Sequence, residues 1–174
     1  MHKMQFMRPI YILSFLLLFC SALIARDIGG FWLTIDEKTK KPSSIVAIYP
    51  YEGKYYGRII GSYNDQGEID DSIYAPKGKA PGIEGNPYFS GLDFVLGASY
   101  EGGGRFAGYV IDPRDGKMYD AELWKKGSDL ILRGELFMFG RNEVWPPCPD
   151  DQFNDQFKKP DVSTFVPVIP KPID

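Results

Sequence analysis

The sequence predicts an all-β protein: a single antiparallel meander of eight strands closed into a small barrel, with a long loop over residues 68–91 and a proline-rich tail. Three observations predict it. Asp112-Pro113-Arg114-Asp115-Gly116 has the composition of a tight turn between antiparallel strands. Proline pre-sets φ, the aspartates accept nearby backbone N–H groups, and glycine takes the left-handed position. The flanking residues alternate, most clearly Tyr119, Ala121 and Leu123 against Asp120 and Glu122, which gives one dry and one wet face. Beyond residue 25 no segment shows helical periodicity, and eight successive antiparallel strands lose their exposed edges by closing on themselves.

Residues 1–25 read as a secretory signal: a positive start with His2, Lys3 and Arg8, an apolar run from Ile10 to Cys20, and a small-residue end before Arg26. The alternative is an uncleaved anchor, for which the uncharged span Pro9–Ala25, 17 residues, lies at the bottom of the range. A lipoprotein site is disfavoured by bulky Phe19 before Cys20. The expected organisation is therefore a signal peptide (1–25), a β-barrel domain (27–145) and a tail (146–174). The product is expected to be periplasmic or secreted, with no membrane span once the signal is removed.

Within the barrel the first strand is expected over 30–36, with both phases apolar. Strands follow over 43–49 and 54–63, the latter interrupted by Gly57 and Gly61 as a curling sheet requires. Asn64-Asp65-Gln66-Gly67 reads as an Asx-type turn. A calcium loop through it fails because Ser62 and Ile73 stand where carboxylates are needed. The segment from Glu68 to Gly91 lacks periodicity and is too long for an idle connection, so it is a lid, a binding loop or a strap across one mouth. Further strands are expected over 92–100, 105–111, 117–125, 129–136 and 139–145. If Lys126-Gly127 forms the loop of the next hairpin, Leu123 faces Leu130 and Asp120 faces Arg133. On the phase assigned inward, Ala98, Ala107, Ala121 and Gly134 sit among Phe94, Leu96, Tyr109, Leu123, Leu130 and Leu132. After Trp145 the prolines multiply, and the tail is expected to be disordered or laid along a surface.

Composition excludes whole classes of chemistry. Without the signal the chain keeps 18 basic and 23 acidic side chains, a net charge of −5, and no basic cluster, which argues against a nucleic-acid partner. The only histidine leaves with the signal, so no histidine relay or general base remains. One cysteine, Cys148, then remains, so there is no internal disulfide and no sulfur–nitrogen zinc cluster. No metal or cofactor is implied. Asp120 and Glu122, two apart on the wet face, are the only candidate catalytic carboxylates singled out, and solvated charge explains them adequately; an enzyme is not expected.

Gly30-Phe31-Trp32 resembles the Gly-x-Trp that opens the first strand of lipocalin-like (calycin) barrels. That resemblance implies a structural cap in which Trp32 packs across the closed end against an arginine, Arg141 first and Arg133 second. Later motifs resemble the bacterial family called domain of unknown function 2147. They are Gly108-Tyr109-Val110-Ile111-Asp112-Pro113 with Gly116 and Tyr119, then Arg133-Gly134, then Phe139-Gly140-Arg141 with Trp145. Val110 departs mildly from that pattern, and neither the loop 68–91 nor the tail matches it. The resemblance supports scaffold and compartment and implies no activity. The leading expectation is a binder of a small apolar ligand in the cell envelope, with Tyr109, Tyr119 and Leu123 lining the cavity. The alternative is an envelope structural or interaction module that engages another protein through the barrel surface or the tail; deleting residues 146–174 is then expected to leave folding intact.

Overall fold

The computed structural model describes residues 27–134 and 141–173. The expected signal and the Phe139-Gly140 part of the family motif lie outside the described residues. Nine strands form one antiparallel sheet: β1 (Gly30–Ile35), β2 (Pro42–Tyr51), β3 (Lys54–Tyr63), β4 (Ile69–Ser72), β5 (Asp93–Gly102), β6 (Arg105–Ile111), β7 (Met118–Lys126), β8 (Asp129–Gly134) and β9 (Arg141–Trp145). Eight follow one another around the sheet, and β4 is an added ribbon that pairs only with β3. The loop expected over 68–91 therefore begins with a short strand that sequence patterning does not reveal.

The sheet curls until its two ends meet. The Leu33 N–H donates to Pro146 O at 2.9 Å, and the Cys148 N–H donates to Phe31 O at 2.8 Å. β1 is thus sealed by the residues that directly follow β9, and Trp32 pairs with Pro147. Because the strands alternate in direction, the loops after β1 and β6 share one end of the barrel, the mouth. The hairpin turns after β2, β5 and β7 share the other, the base.

Inside, Trp32, Val46, Ile48, Val95, Ala98, Phe106, Val110, Ala121, Leu123, Leu130, Leu132 and Trp145 form one core, with Ile28 plugging the base. Strand bulges decide who enters it. In β5 an extra residue between Leu96 and Ser99 lets Gly97 (φ 62°) and Ala98 oppose Gly108. A Cβ on Gly108 would lie 2.7 Å from Ala98 Cα, so only glycine permits this approach. A second irregularity where β5 meets β3 lets both Phe94 and Val95 reach the interior.

Two expectations need correcting here. The β7–β8 loop is Gly127-Ser128, with glycine (φ 64°) at the first central position as a II′ turn requires. Leu123 therefore faces Leu132 and Glu122 faces Arg133, a shift of two that leaves every side chain on its expected face. The phase of β6, by contrast, is opposite to that expected. Phe106 and Val110 point inward with Leu123 and Tyr119, while Ala107 and Tyr109 pair with Glu122 and Asp120 on the outer face. Tyr109 is 51% exposed. Both phases of β6 carry apolar residues, so patterning alone did not choose between them.

The tail is ordered, and it covers the outside of β1–β3. Ile45, Ala47, Leu33 and Ile60 point away from the barrel interior and form a second core with Phe157, walled by Phe31, Tyr63, Cys148, Phe153, Val162 and Phe165. Phe157 stacks on Phe153 with ring centroids 5.5 Å apart. Prolines suit this path because an extended segment laid on a sheet face needs no ladder hydrogen bonds. Because the tail supplies part of this core and seals the barrel seam, deleting residues 146–174 is now expected to destabilise the fold.

The tail is pinned by Asp93, which is wholly buried. Its carboxylate accepts from Arg58 Nη2 at 2.7 Å, Arg58 Nε at 3.1 Å, Tyr49 Oη at 2.8 Å and the Val168 N–H at 2.7 Å. Arg58 also donates to Val166 O at 2.8 Å and lies 4.5 Å above the Phe165 ring. Burial, then the neighbouring Asp93 charge, pushes the Tyr49 phenol far above its ordinary value. Replacing Asp93 by alanine leaves the Arg58 guanidinium, only 12% exposed, without its ion-pair partner, which costs about 3–5 kcal/mol. Asp93→Ala is therefore expected to lower the thermal midpoint by roughly 6–20 °C and to free the tail to proteolysis. A shift within 2 °C by calorimetry would show that the cluster is not what secures the tail.

Candidate functional site

The mouth holds a cavity of about 260 Å³ that opens to solvent. Its floor is apolar: Val46, Ile59, Phe94, Val110 and Leu132, from inward positions of β2, β3, β5, β6 and β8. Beneath them Trp32, Ala121, Leu123, Phe106 and Trp145 fill the base, so the interior is packed at one end and hollow at the other. The rim is polar, with Thr34 and Ser44 on one side and Glu37, Asp112, Arg114 and Glu143 at the opening.

Each rim group is placed by local chemistry. Asp112 opens the β6–β7 turn, where its Oδ1 accepts the Arg114 N–H at 2.9 Å and Gly116 N donates to Asp112 O at 2.8 Å. Arg114 folds back on the same carboxylate through Nε at 2.9 Å and Nη2 at 2.7 Å, a forked pair. Glu143 follows Leu132 in register and accepts from Trp145 Nε1 at 3.0 Å. Thr34 and Ser43 share a hydrogen bond of 2.7 Å, and Ser44 and Ser62 one of 3.2 Å. Among the described residues the rim carries three carboxylates and one guanidinium.

The residues expected to line a cavity are not brought together. Tyr109 is outside, Leu123 is fully buried in the packed base, and Tyr119 faces inward half-buried against the core without reaching the cavity. Of the expected structural cap, the described residues place Trp32 and Arg133. Among the described residues Lys125 is the cation near Trp32, with Nζ 5.6 Å from the ring centroid, and the indole N–H donates to Ile28 O at 3.2 Å. Arg133 is exposed on the outer face opposite Glu122. Arg141 pairs with Gly134 at the mouth, six residues along from the Pro147 that meets Trp32; its side chain lies outside the described residues.

Asp120 and Glu122 lie where expected, exposed on the outer face. They line an open groove of about 720 Å³ with Lys54, Glu101, Tyr109 and Arg133. Solvated charges of both signs make its walls, and Arg105 already meets Glu122 at 3.4 Å. The groove is larger than the mouth cavity, but it lacks a buried apolar floor and a convergent set of polar groups, so the mouth is the better built site. Asn64 forms the expected Asx turn, its Oδ1 accepting from the Gln66 and Glu68 N–H groups at 3.0 and 2.9 Å. Cys148 is half-buried, and burial pushes its thiol up to about 11, away from reactivity. Sequence reasoning missed Glu37, Asp112 and Arg114 as site residues, although the up-and-down order places the turns after β1 and β6 at the same end.

A meander barrel packed at its base and hollow at its mouth is a lipocalin-like architecture. Its likeness to a solved structure agrees: the chain is similar to a Helicobacter pylori protein described as "Protein HP1028 from the human pathogen Helicobacter pylori belongs to the lipocalin family", with TM-score 0.59 and 18% identity over 79% of this chain and 94% of that one. At that identity the likeness carries the fold alone. The family is shown by sequence: residues 30–146 match the family of uncharacterized proteins conserved in bacteria, DUF2147, and the chain belongs to it. No curated protein matches the chain.

The forked bond from Arg114 holds the Asp112 carboxyl below its usual 3.8, against burial, which raises it. A depressed value means this contribution to stability is present above the unfolded pKa and is lost only as pH falls through the lower folded value. A carboxyl-detected NMR titration is expected to place Asp112 below 3.8, and Arg114→Ala to move it upward. An unchanged midpoint in Arg114→Ala would remove the forked pair from the account of the mouth's charge.

Proposed function

We propose that the protein binds a small molecule in the barrel mouth, with an apolar body on the floor and a polar or cationic head among Glu37, Asp112 and Glu143. One observation carries this reading: among the described residues the interior is hollow at the mouth, where apolar side chains from β2, β3, β5, β6 and β8 line a cavity of about 260 Å³. That volume lies below the roughly 300–1,000 Å³ of sites for drug-sized ligands, which favours an occupant of about a dozen heavy atoms. The lipocalin-like fold supports the reading as a scaffold that holds small ligands in its mouth. The rim refines the expectation of a wholly apolar ligand, because carboxylates that already accept from Arg114 and Trp145 mark the opening as a place where a donor or positive group is met. We further propose that binding takes place in the cell envelope, a reading supported by the signal-like residues 1–25.

The test compares tryptamine, indole and indole-3-acetate, which share one ring and differ in the charge of the side arm. Calorimetry or NMR titration is expected to rank tryptamine first and indole-3-acetate last. Each exposed charge contact is worth about 0.2–1 kcal/mol, so Asp112→Asn or Glu143→Gln should weaken tryptamine up to about fivefold while leaving indole unchanged. Val110→Trp, which fills the floor, should abolish all three. Binding of none of the probes, or preference for the anion, would defeat the reading.

A further inference from the structure

We infer that the end of the tail is a latch that holds one wall of the mouth in place, so that ligand affinity depends on whether the last residues are docked; this rests on the reading of the mouth as the binding site. Three segments stack here, joined by main-chain hydrogen bonds. The outermost is the tail end, the middle one is the loop around Gly82, and the innermost is the turn that carries Asp112, Pro113 and Arg114 into the cavity wall.

The bonds run in sequence. Gly82 N donates to Pro113 O at 3.0 Å, tying the loop to the turn. Ile173 N donates to Gly82 O at 3.0 Å and Glu84 N to Lys171 O at 2.8 Å, tying the tail end to the loop. The layers touch so closely that a Cβ on Gly82 would sit 2.2 Å from Gly116 N, and a Cβ on Gly116 would sit 2.4 Å from Gly82 O and 3.3 Å from the Pro172 ring. Gly116 is also left-handed, at φ 73°. Two glycines thus permit a backbone stack that no other residue allows. Beneath the loop, Ala80, Ile83, Leu92, Leu96 and Ile111 make a small third core on the outside of β5 and β6.

The side chains explain why this is a latch rather than one more packed layer. Pro170 is buried, but Lys171, Pro172 and Ile173 beyond it are exposed, so these last residues are held chiefly by their backbone. Segments held by exposed main-chain hydrogen bonds with little apolar burial open at low free energy, well before the barrel does. Arg58 and Asp93 grip the tail upstream, at Val166 and Val168, so residues 171–173 can leave while the second core stays covered. Their departure removes the outer layer of the stack and frees the loop to pull away from the turn. By reciprocity, a ligand that contacts the turn stabilises the docked tail by the same factor.

Two variants test the latch without touching cavity residues. Deleting residues 171–174 removes the outer layer and keeps the Val166 and Val168 contacts. Gly82→Ala wedges loop and turn apart with the tail intact. In both, amide exchange at Gly116 and Gly82 is expected to quicken at least tenfold while the Val168 amide stays protected. Tryptamine affinity should fall by a factor of about five or more. Saturating tryptamine should in turn slow exchange of the Ile173 amide in the unaltered protein. Unchanged Gly116 exchange in either variant overturns the latch, as does faster exchange with unaltered affinity. If the unaltered protein binds no tryptamine, the mouth reading fails on its own, and Gly116 exchange alone then decides whether the tail holds the turn.

Discussion

A carboxylate taken wholly out of water organises this molecule. Asp93 loses its hydration on folding, a cost of several kcal/mol that only a full set of donors offsets. It obtains four: two from the Arg58 guanidinium, one from the Tyr49 hydroxyl and one from the Val168 backbone. These donors come from β2, β3 and the tail, while Asp93 opens β5. The cluster therefore fixes three strands and the return of the chain at one point, and an incomplete set is penalised severely. Arg58 suits the role because its planar fork meets both carboxylate oxygens while its face lies on Phe165.

That constraint explains why a small barrel carries a long tail. The strands β1–β3 are apolar on both faces, so closing the barrel buries only half of their side chains. The other half needs a cover, and Phe153, Phe157 and Phe165 supply it from a segment too rich in proline to join the sheet. The same segment supplies the seam, since Pro146 and Cys148 complete the hydrogen bonding of β1. The result is an interior filled at the base and hollow at the mouth, with a covered exterior on one flank.

Much of the scaffold was legible in the sequence because it rests on local chemistry. The Asp112–Gly116 turn, the alternation of β7 and the order of the strands follow from short-range rules that tertiary packing does not override. What was not legible depends on distant partners. Tyr109 reads as an inward residue because Ala107, Tyr109 and Ile111 match Phe106 and Val110 in apolar character, and the phase is decided by the register with β7 and the bulge at Gly97. Asp93 reads as an ordinary polar residue at a strand start until Arg58 and Val168 are brought to it. The three tail phenylalanines have neither helical nor strand spacing, so nothing local marks them as core. Glu37 and Arg114 belong to turns, and their convergence appears only when the meander is traced to its ends.

The account of function turns on whether the mouth is hollow and apolar in solution. Xenon, which carries no charge and seeks unfilled apolar volume, is the most direct probe of that property. Crystals pressurised with the gas are predicted to show an atom among Val46, Phe94, Val110 and Leu132. A mouth that takes up no xenon, or a site found only in the packed base around Leu123, would contradict the account.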